Sequence, residues 1–125
     1  MENIILRNIS VNDVIKLQEI GQQTFFETFE AGNTEENMKN YLEEGFSLNK
    51  LTTELENKNS EFYFAELDNH VIGYLKLNFG ESQTELKEIA ALEIERIYVL
   101  KDFHGKRVGQ LLYEKAISIA KQKNV

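Results

Sequence analysis

The groups best able to do chemistry fall between residues 93 and 110. Two carboxylates, Glu93 and Glu95, sit in the stretch Leu92-Glu93-Ile94-Glu95-Arg96-Ile97-Tyr98-Val99. A carboxylate beside a bound amine can act as a general base, because an alkyl ammonium is no nucleophile until it has lost its proton. Lys101, His104, Lys106 and Arg107 follow, with Gly105 among them and Gly109 just after. A basic, glycine-containing turn that opens a helix binds phosphate. The first helical N–H groups lack partners, the helix dipole favours an anion, and glycine lets the backbone come close. Short glycine motifs are weak signals on their own, and an ordinary strand-to-helix turn with solvated charges would read the same way.

These groups need a strand before the turn and a helix after it. Residues 91–100 read as a long strand. Ile94 has the opposite parity from Ile97 and Val99, so a regular strand cannot bury all three on one face. An extra residue near Glu95-Arg96, a β-bulge, would restore the match and splay the neighbouring strand. Burial of the strand on both faces would also account for it. From Val108 onward Leu111, Leu112, Ala116, Ile119 and Ala120 form a helical stripe.

The rest of the chain supplies the support. Ile4 to Arg7 reads as a short strand, and Ser10-x-x-Asp13 as a capping-box start. Val14, Leu17, Ile20, Gly21, Thr24, Phe25, Thr28 and Phe29 then follow at helical spacing to a stop at Gly32-Asn33. Thr34 and Ser47 are caps for two further helices. From Glu61 the period becomes two. Phe62–Leu67 is one strand, Asp68-Asn69-His70 a turn and Val71–Phe79 the return strand. Val71, Gly73, Leu75, Leu77 and Phe79 are expected on one face, and Ile72, Tyr74, Lys76 and Asn78 on the other. Residues 80–87 read as a loop. His70 reads as a solvated turn residue.

A bulged strand followed by a Gln/Arg-x-x-Gly-x-Gly/Ala turn and a helix resembles the acetyl-CoA signature of the GNAT superfamily of N-acetyltransferases. The turn here is His104-Gly105-Lys106-Arg107-Val108-Gly109. The last glycine matches, while Arg107 replaces the first and His104 the leading residue. Arg107 either weakens the close approach of a pyrophosphate or substitutes charge for it. Thr24-Phe25-Phe26-Glu27-Thr28-Phe29, Glu36-Asn37-Met38-Lys39, Tyr41-Leu42-Glu43 and Leu92 to Tyr98 resemble bacterial PaiA-type spermidine/spermine N-acetyltransferases. The resemblance covers essentially the whole chain.

It implies an α/β (α+β) GNAT fold with a mixed, mostly antiparallel sheet and helices on both faces. Residues 1–125 would form a single GNAT domain, truncated after the acetyl-CoA-binding helix, with its C-terminal strands missing. That missing part would hold the tyrosine that protonates the leaving thiolate. The implied activity is acetyl transfer from acetyl-CoA to a primary amine such as a polyamine. Ile97, Tyr98 and Val99 would run beside the pantetheine, and His104, Gly105, Lys106, Arg107, Val108, Gly109 and Gln110 would hold the pyrophosphate. Glu93, or else Glu95, would be the base, and Phe25, Phe29 and Tyr41 would wall the amine channel unless they simply pack the core. A non-catalytic CoA-binding or interaction module derived from the same fold stands as the alternative.

Composition narrows the field. The chain has 125 residues, enough for one core. It has no cysteine, which excludes disulfides, thiolate metal sites and cysteine nucleophiles. No metal is expected. Twenty-one carboxylates against 14 Lys and Arg give a net charge of −7, unsuited to general nucleic-acid binding and either favourable to cationic small molecules or simply solubilising. Neither a secretion signal nor a run of about 20 apolar residues is found. A cytoplasmic location and no membrane partner are therefore expected, with an uncovered sheet edge inviting homodimerisation.

Overall fold

The computed structural model describes residues 3–80, 83 and 91–125. The expected loop at 80–87 lies mostly outside the described residues. Four strands, β1 (Ile5–Asn8), β2 (Ser60–Leu67), β3 (His70–Phe79) and β4 (Leu92–Val99), form one sheet in the order β1-β2-β3-β4. Every pairing is antiparallel. Helices α1 (Val14–Phe29), α2 (Glu35–Gly45) and α3 (Leu48–Glu56) precede β2, and α4 (Val108–Gln122) follows β4. No helix among the described residues is long and apolar enough to cross a membrane.

Local chemistry starts and stops these elements. The Ser10 hydroxyl and the Asp13 carboxylate make the expected reciprocal box, but they cap a 3-10 turn, Val11–Asp13, which runs on into α1. Thr34 Oγ1 accepts the Asn37 N–H and Ser47 Oγ accepts the Lys50 N–H, so both expected caps are present. The β2–β3 turn is tighter than expected. Asp68 and Asn69 both have positive φ, the two-residue hairpin turn whose twist suits paired strands, and His70 already belongs to β3.

The sheet carries one core on each face. On one side α4 places Val108, Leu112, Ala116 and Ile119 over Leu75 and Leu77. On the other, Leu17 and Ile20 of α1 and Leu51 of α3 cover Phe62, Phe64 and Tyr74. The expected alternation in β3 holds for Tyr74 to Phe79 but fails at its start. Ala65 faces Gly73 while Glu66 faces Val71, which leaves Ile72 as an extra residue. Ile72 therefore joins Leu75 and Leu77 beneath α4, and Val71 packs with the Tyr74 side. A second register shift lies in β4, where Lys76 faces Arg96 but Leu77 faces Ile94. Glu95 is the bulge residue. The bulge brings Ile94 and Val99, of opposite parity, into the same α4-side core.

Candidate acyl-transfer cleft

β4 is the last strand of the sheet, and a cleft of about 600 Å³ opens beside its C-terminal half. Ile97, Tyr98 and Val99 form its strand wall, and Thr28 approaches from the end of α1. Its floor is the turn into α4, with Phe103, His104, Gly105, Arg107, Val108 and Gly109. Lys106 and Gln110 line an adjoining hollow of about 540 Å³, together with Gly105 and Arg107. All ten residues expected around the cofactor thus border one continuous region at the start of α4.

The backbone explains why the turn stays open. Gly105 has φ +85° and Arg107 has φ +64°, so the chain bends sharply just before the helix. Arg107 occupies the N-cap of α4 without a side-chain cap, and the Leu111 N–H is the one that returns to the Arg107 carbonyl. The N–H groups of Val108, Gly109 and Gln110 are therefore the orphan donors of a first helical turn. The Arg107 guanidinium donates to Gln110 Oε1 at 3.1 Å and stays exposed above them. His104 Nε2 lies 2.9 Å from the Val99 carbonyl, and Glu27 accepts the Lys101 N–H at 2.8 Å. These contacts tie the turn to β4 and α1.

A second, narrower cleft of about 360 Å³ lies against the other side of Tyr98, between α1, α2 and the sheet. Phe25 and Tyr41 line it as expected, with Phe46, Tyr74 and Tyr98 completing an aromatic wall. Phe29 does not line it. It lies against Phe25 with ring centres 4.7 Å apart and planes inclined at 43°, so it buttresses one member of the wall. Tyr98 borders both clefts.

Behind this wall the bulge holds a polar network. Asn78, fully buried, donates through Nδ2 to Glu93 at 2.9 Å and to Glu95 at 2.7 Å, while its carbonyl oxygen accepts from Ser60 Oγ. Glu95 also pairs with Lys76 at 2.9 Å and Arg96 at 3.1 Å, and both cations share Glu54. Burial would raise the Glu95 pKa, but the hydrogen bonds from Asn78 and Lys76 and the charge of Arg96 outweigh it. The Glu95 carboxyl is held below its ordinary value. Tyr74 moves the other way: burial, with smaller help from Tyr98 and Glu54, pushes its phenol up to about 12. It is a neutral hydroxyl at pH 7.

The bulge brings the two expected carboxylates together, yet neither lines either cleft. The β4 residues that do are Arg96 and Tyr98 in the aromatic cleft and Ile97, Tyr98 and Val99 in the larger one. Reading the sequence missed Tyr74, Phe46, Glu44 and Arg96 as cleft residues. The period-two pattern of β3 could have found Tyr74, since it shares a face with Lys76 and Asn78, and the bulge puts Arg96 on that face too. Phe46 and Glu44 depend on how α2 crosses α1. That packing leaves no mark in the local pattern.

Residues 17–125 match the family model described as acetyltransferase (GNAT) family. An uncharacterised N-acetyltransferase encoded in the pepI 3′ region of Lactobacillus delbrueckii subsp. lactis is 36% identical over 114 residues, covering 91% of this chain. The chain spans 66% of that relative's length. A spermidine N(1)-acetyltransferase of Thermoplasma acidophilum is 25% identical over 127 residues, covering 98% of this chain and 74% of that protein. The crystal structure of the PaiA N-acetyltransferase from Thermoplasma acidophilum in complex with coenzyme A has a TM-score of 0.83 at 24% identity, over 98% of this chain and 75% of that one.

Proposed function

The chain belongs to the acetyltransferase (GNAT) family, and from that premise we propose that it binds acetyl-CoA beside β4 and acetylates a primary amine held against Tyr98. The amine is read as that of a polyamine. The observation that carries this is the open cleft of about 600 Å³ that runs from the edge of Ile97–Val99 onto the uncapped first turn of α4. Its two ends have the two chemistries required. The strand edge offers backbone donors and acceptors to an amide-containing arm, and the helix start offers N–H groups and cations to a diphosphate.

Arg107 in place of glycine supports cofactor binding rather than an inert remnant. At φ +64° it holds the backbone in the left-handed shape glycine would adopt, so the turn is kept and a charge is added. Lys106 contributes a second cation, with its ammonium 6.0 Å from the centre of the Phe103 ring.

Acetyl-CoA, when bound, supplies a thioester at which the amine's C–N bond forms as the C–S bond breaks, giving an acetamide and a free thiol. The chain's own task is to deliver the amine neutral and aligned. Phe25, Tyr41 and Tyr98 exclude water from its alkyl part. Of the two carboxylates, Glu93 is the better base, acting through water, because protonating Glu95 would leave Lys76 and Arg96 to share the single carboxylate of Glu54. The spermidine acetyltransferase of Thermoplasma acidophilum, similar over 98% of this chain, supports the polyamine reading.

Calorimetry with acetyl-CoA, followed by a thiol-release assay with spermidine, tests the proposal. Saturable binding that weakens with salt, and one thiol released per acetamide formed, are expected. In Glu93→Gln, turnover should fall and its rise with pH should flatten while acetyl-CoA affinity stays unchanged. Absence of acetyl-CoA binding would refute the cofactor assignment, and binding without transfer to any amine would leave a non-catalytic module.

A further inference from the structure

We propose that Glu44, at the rim of the aromatic cleft, is a specificity residue that holds the second, non-reacting ammonium of a diamine or polyamine. The wall of this cleft is made by Phe25, Phe46 and Tyr98 with Tyr41 and Tyr74. Aromatic faces attract alkyl ammonium groups and cover the methylenes between them. A volume of about 360 Å³ suits a thin aliphatic chain.

Two charged residues also line the cleft, Arg96 and Glu44. The Arg96 charge is answered by Glu54 at 3.0 Å and Glu95 at 3.1 Å. Glu44 differs from its neighbour as well. Glu43 pairs with Lys39 one turn back, whereas the Glu44 side chain makes no hydrogen bond or ion pair among the described residues. Its carboxylate is therefore the uncompensated charge of the cleft.

A second observation points the same way. Glu44 sits in the last turn of α2, which contains no basic residue, and Glu44, Gly45 and Phe46 all border the cleft. A helix C-terminus carries partial negative charge, and an acidic residue there works against the stability of its own helix. The end of α2 is held instead by neutral donors of α1: Gln22 donates to the Leu42 carbonyl at 3.2 Å and Gln18 to the Phe46 carbonyl at 2.9 Å. Helix end and carboxylate thus present negative potential together at one mouth of an aromatic slot, which is a site for a cation. Tyr98 lines both this slot and the cofactor cleft, so the reacting amine is assigned to the Tyr98 side. A monoamine fills only the Tyr98 end. A diamine spans both.

The inference rests on the acetyl-transfer reading for the purpose of the site, but the binding it describes can be measured alone. Titration calorimetry should compare 1,4-diaminobutane with n-butylamine on the full-length protein and on Glu44→Gln and Glu44→Asp. The wild type is expected to bind the diamine about tenfold more tightly. Glu44→Gln should lose that preference without change in n-butylamine affinity and without any fall in melting temperature, and Glu44→Asp should keep part of it. In turnover the loss should appear in KM for the diamine and not in kcat. Equal wild-type affinities for the two amines, or a diamine preference unaffected in Glu44→Gln, would overturn the assignment. Selective diamine binding without any acetyl transfer would refute the enzymatic reading and leave this one standing; transfer without diamine preference would do the reverse.

Discussion

Replacing Arg107 by Gly and by Ala separates two roles that the wild-type residue combines. Arg107 is exposed, has φ +64° and starts α4. The left-handed region costs a residue with a Cβ about 1–2 kcal/mol. Glycine avoids that cost but brings about 0.5–1 kcal/mol of extra freedom in the unfolded chain. Both variants lose the same guanidinium and the same hydrogen bond to Gln110. The glycine variant should therefore be the more stable of the two by about 0.5–1 kcal/mol, with a melting temperature higher by roughly 2–6 °C for a chain of this size. Acetyl-CoA affinity should move differently. An exposed charge near a phosphate is worth about 0.2–1 kcal/mol, so both variants should bind up to about fivefold more weakly at low salt, and alike. Thermal melting and calorimetry at two ionic strengths read the two quantities separately. An alanine variant as stable as the glycine one would refute the backbone argument. Unchanged affinity in both would refute the charge argument.

Glu95→Gln should destabilise the protein by roughly 1–3 kcal/mol, because Lys76 and Arg96 would each lose one of two partners and keep Glu54; chemical denaturation checks this. The Glu95 pKa is lowered from 4.5, so its stabilisation is fully present above that pH and fades as pH falls through the lower folded value; the acid limb of the stability profile should be shallower in Glu95→Gln. Gly73→Ala should cost about 1–3 kcal/mol in denaturant unfolding, since the new Cβ would lie 2.7 Å from the Tyr98 carbonyl oxygen and push β4 away from β3. Gly21→Ala would place a Cβ 2.7 Å from the Phe46 ring; displacing that ring into the aromatic cleft should raise KM for the amine with little effect on acetyl-CoA affinity.

The sequence is legible where a local rule decides and fails where two elements must meet. Thr34 and Ser47 cap their helices because each hydroxyl reaches an N–H only three residues away. The β4 bulge could be suspected because Ile94 and Val99 are both core residues of opposite parity in one strand, a conflict that an extra residue relieves, although burial on both faces would have read the same way. The bulge at Ile72 left no such conflict. Val71 and Ile72 are both apolar, so the pattern reads equally well in either register, and only the partner residues Ala65 and Glu66 reveal the slip. The turn proposed to hold the cofactor was visible as a contiguous run from His104 to Gln110, all of which border the two adjoining hollows. The amine cleft was half visible: Phe25 and Tyr41 line it, Phe29 does not, and Glu44 and Phe46 arrive through the crossing of α2 over α1.

The bulge at Glu95 links the two clefts physically. Without the extra residue, Arg96 and Tyr98 would face the α4 core and Ile97 and Val99 the helices α1–α3, reversing every β4 side chain that borders either cleft. With it, Tyr98 packs on Tyr74, with ring centres 6.0 Å apart, and Arg96 reaches Glu54 of α3. An inserted residue needs more than a gap in the ladder to stay in place, because its polar groups lose regular partners. Glu95 is held by Asn78, Lys76 and Arg96, and Asn78 is itself fixed by Ser60. The same contacts that keep Glu95 ionised therefore keep the bulge in place. Glu95 thereby fixes the shape of the site, and Glu93 is drawn to the same place because it accepts from the other hydrogen of the same Asn78 amide.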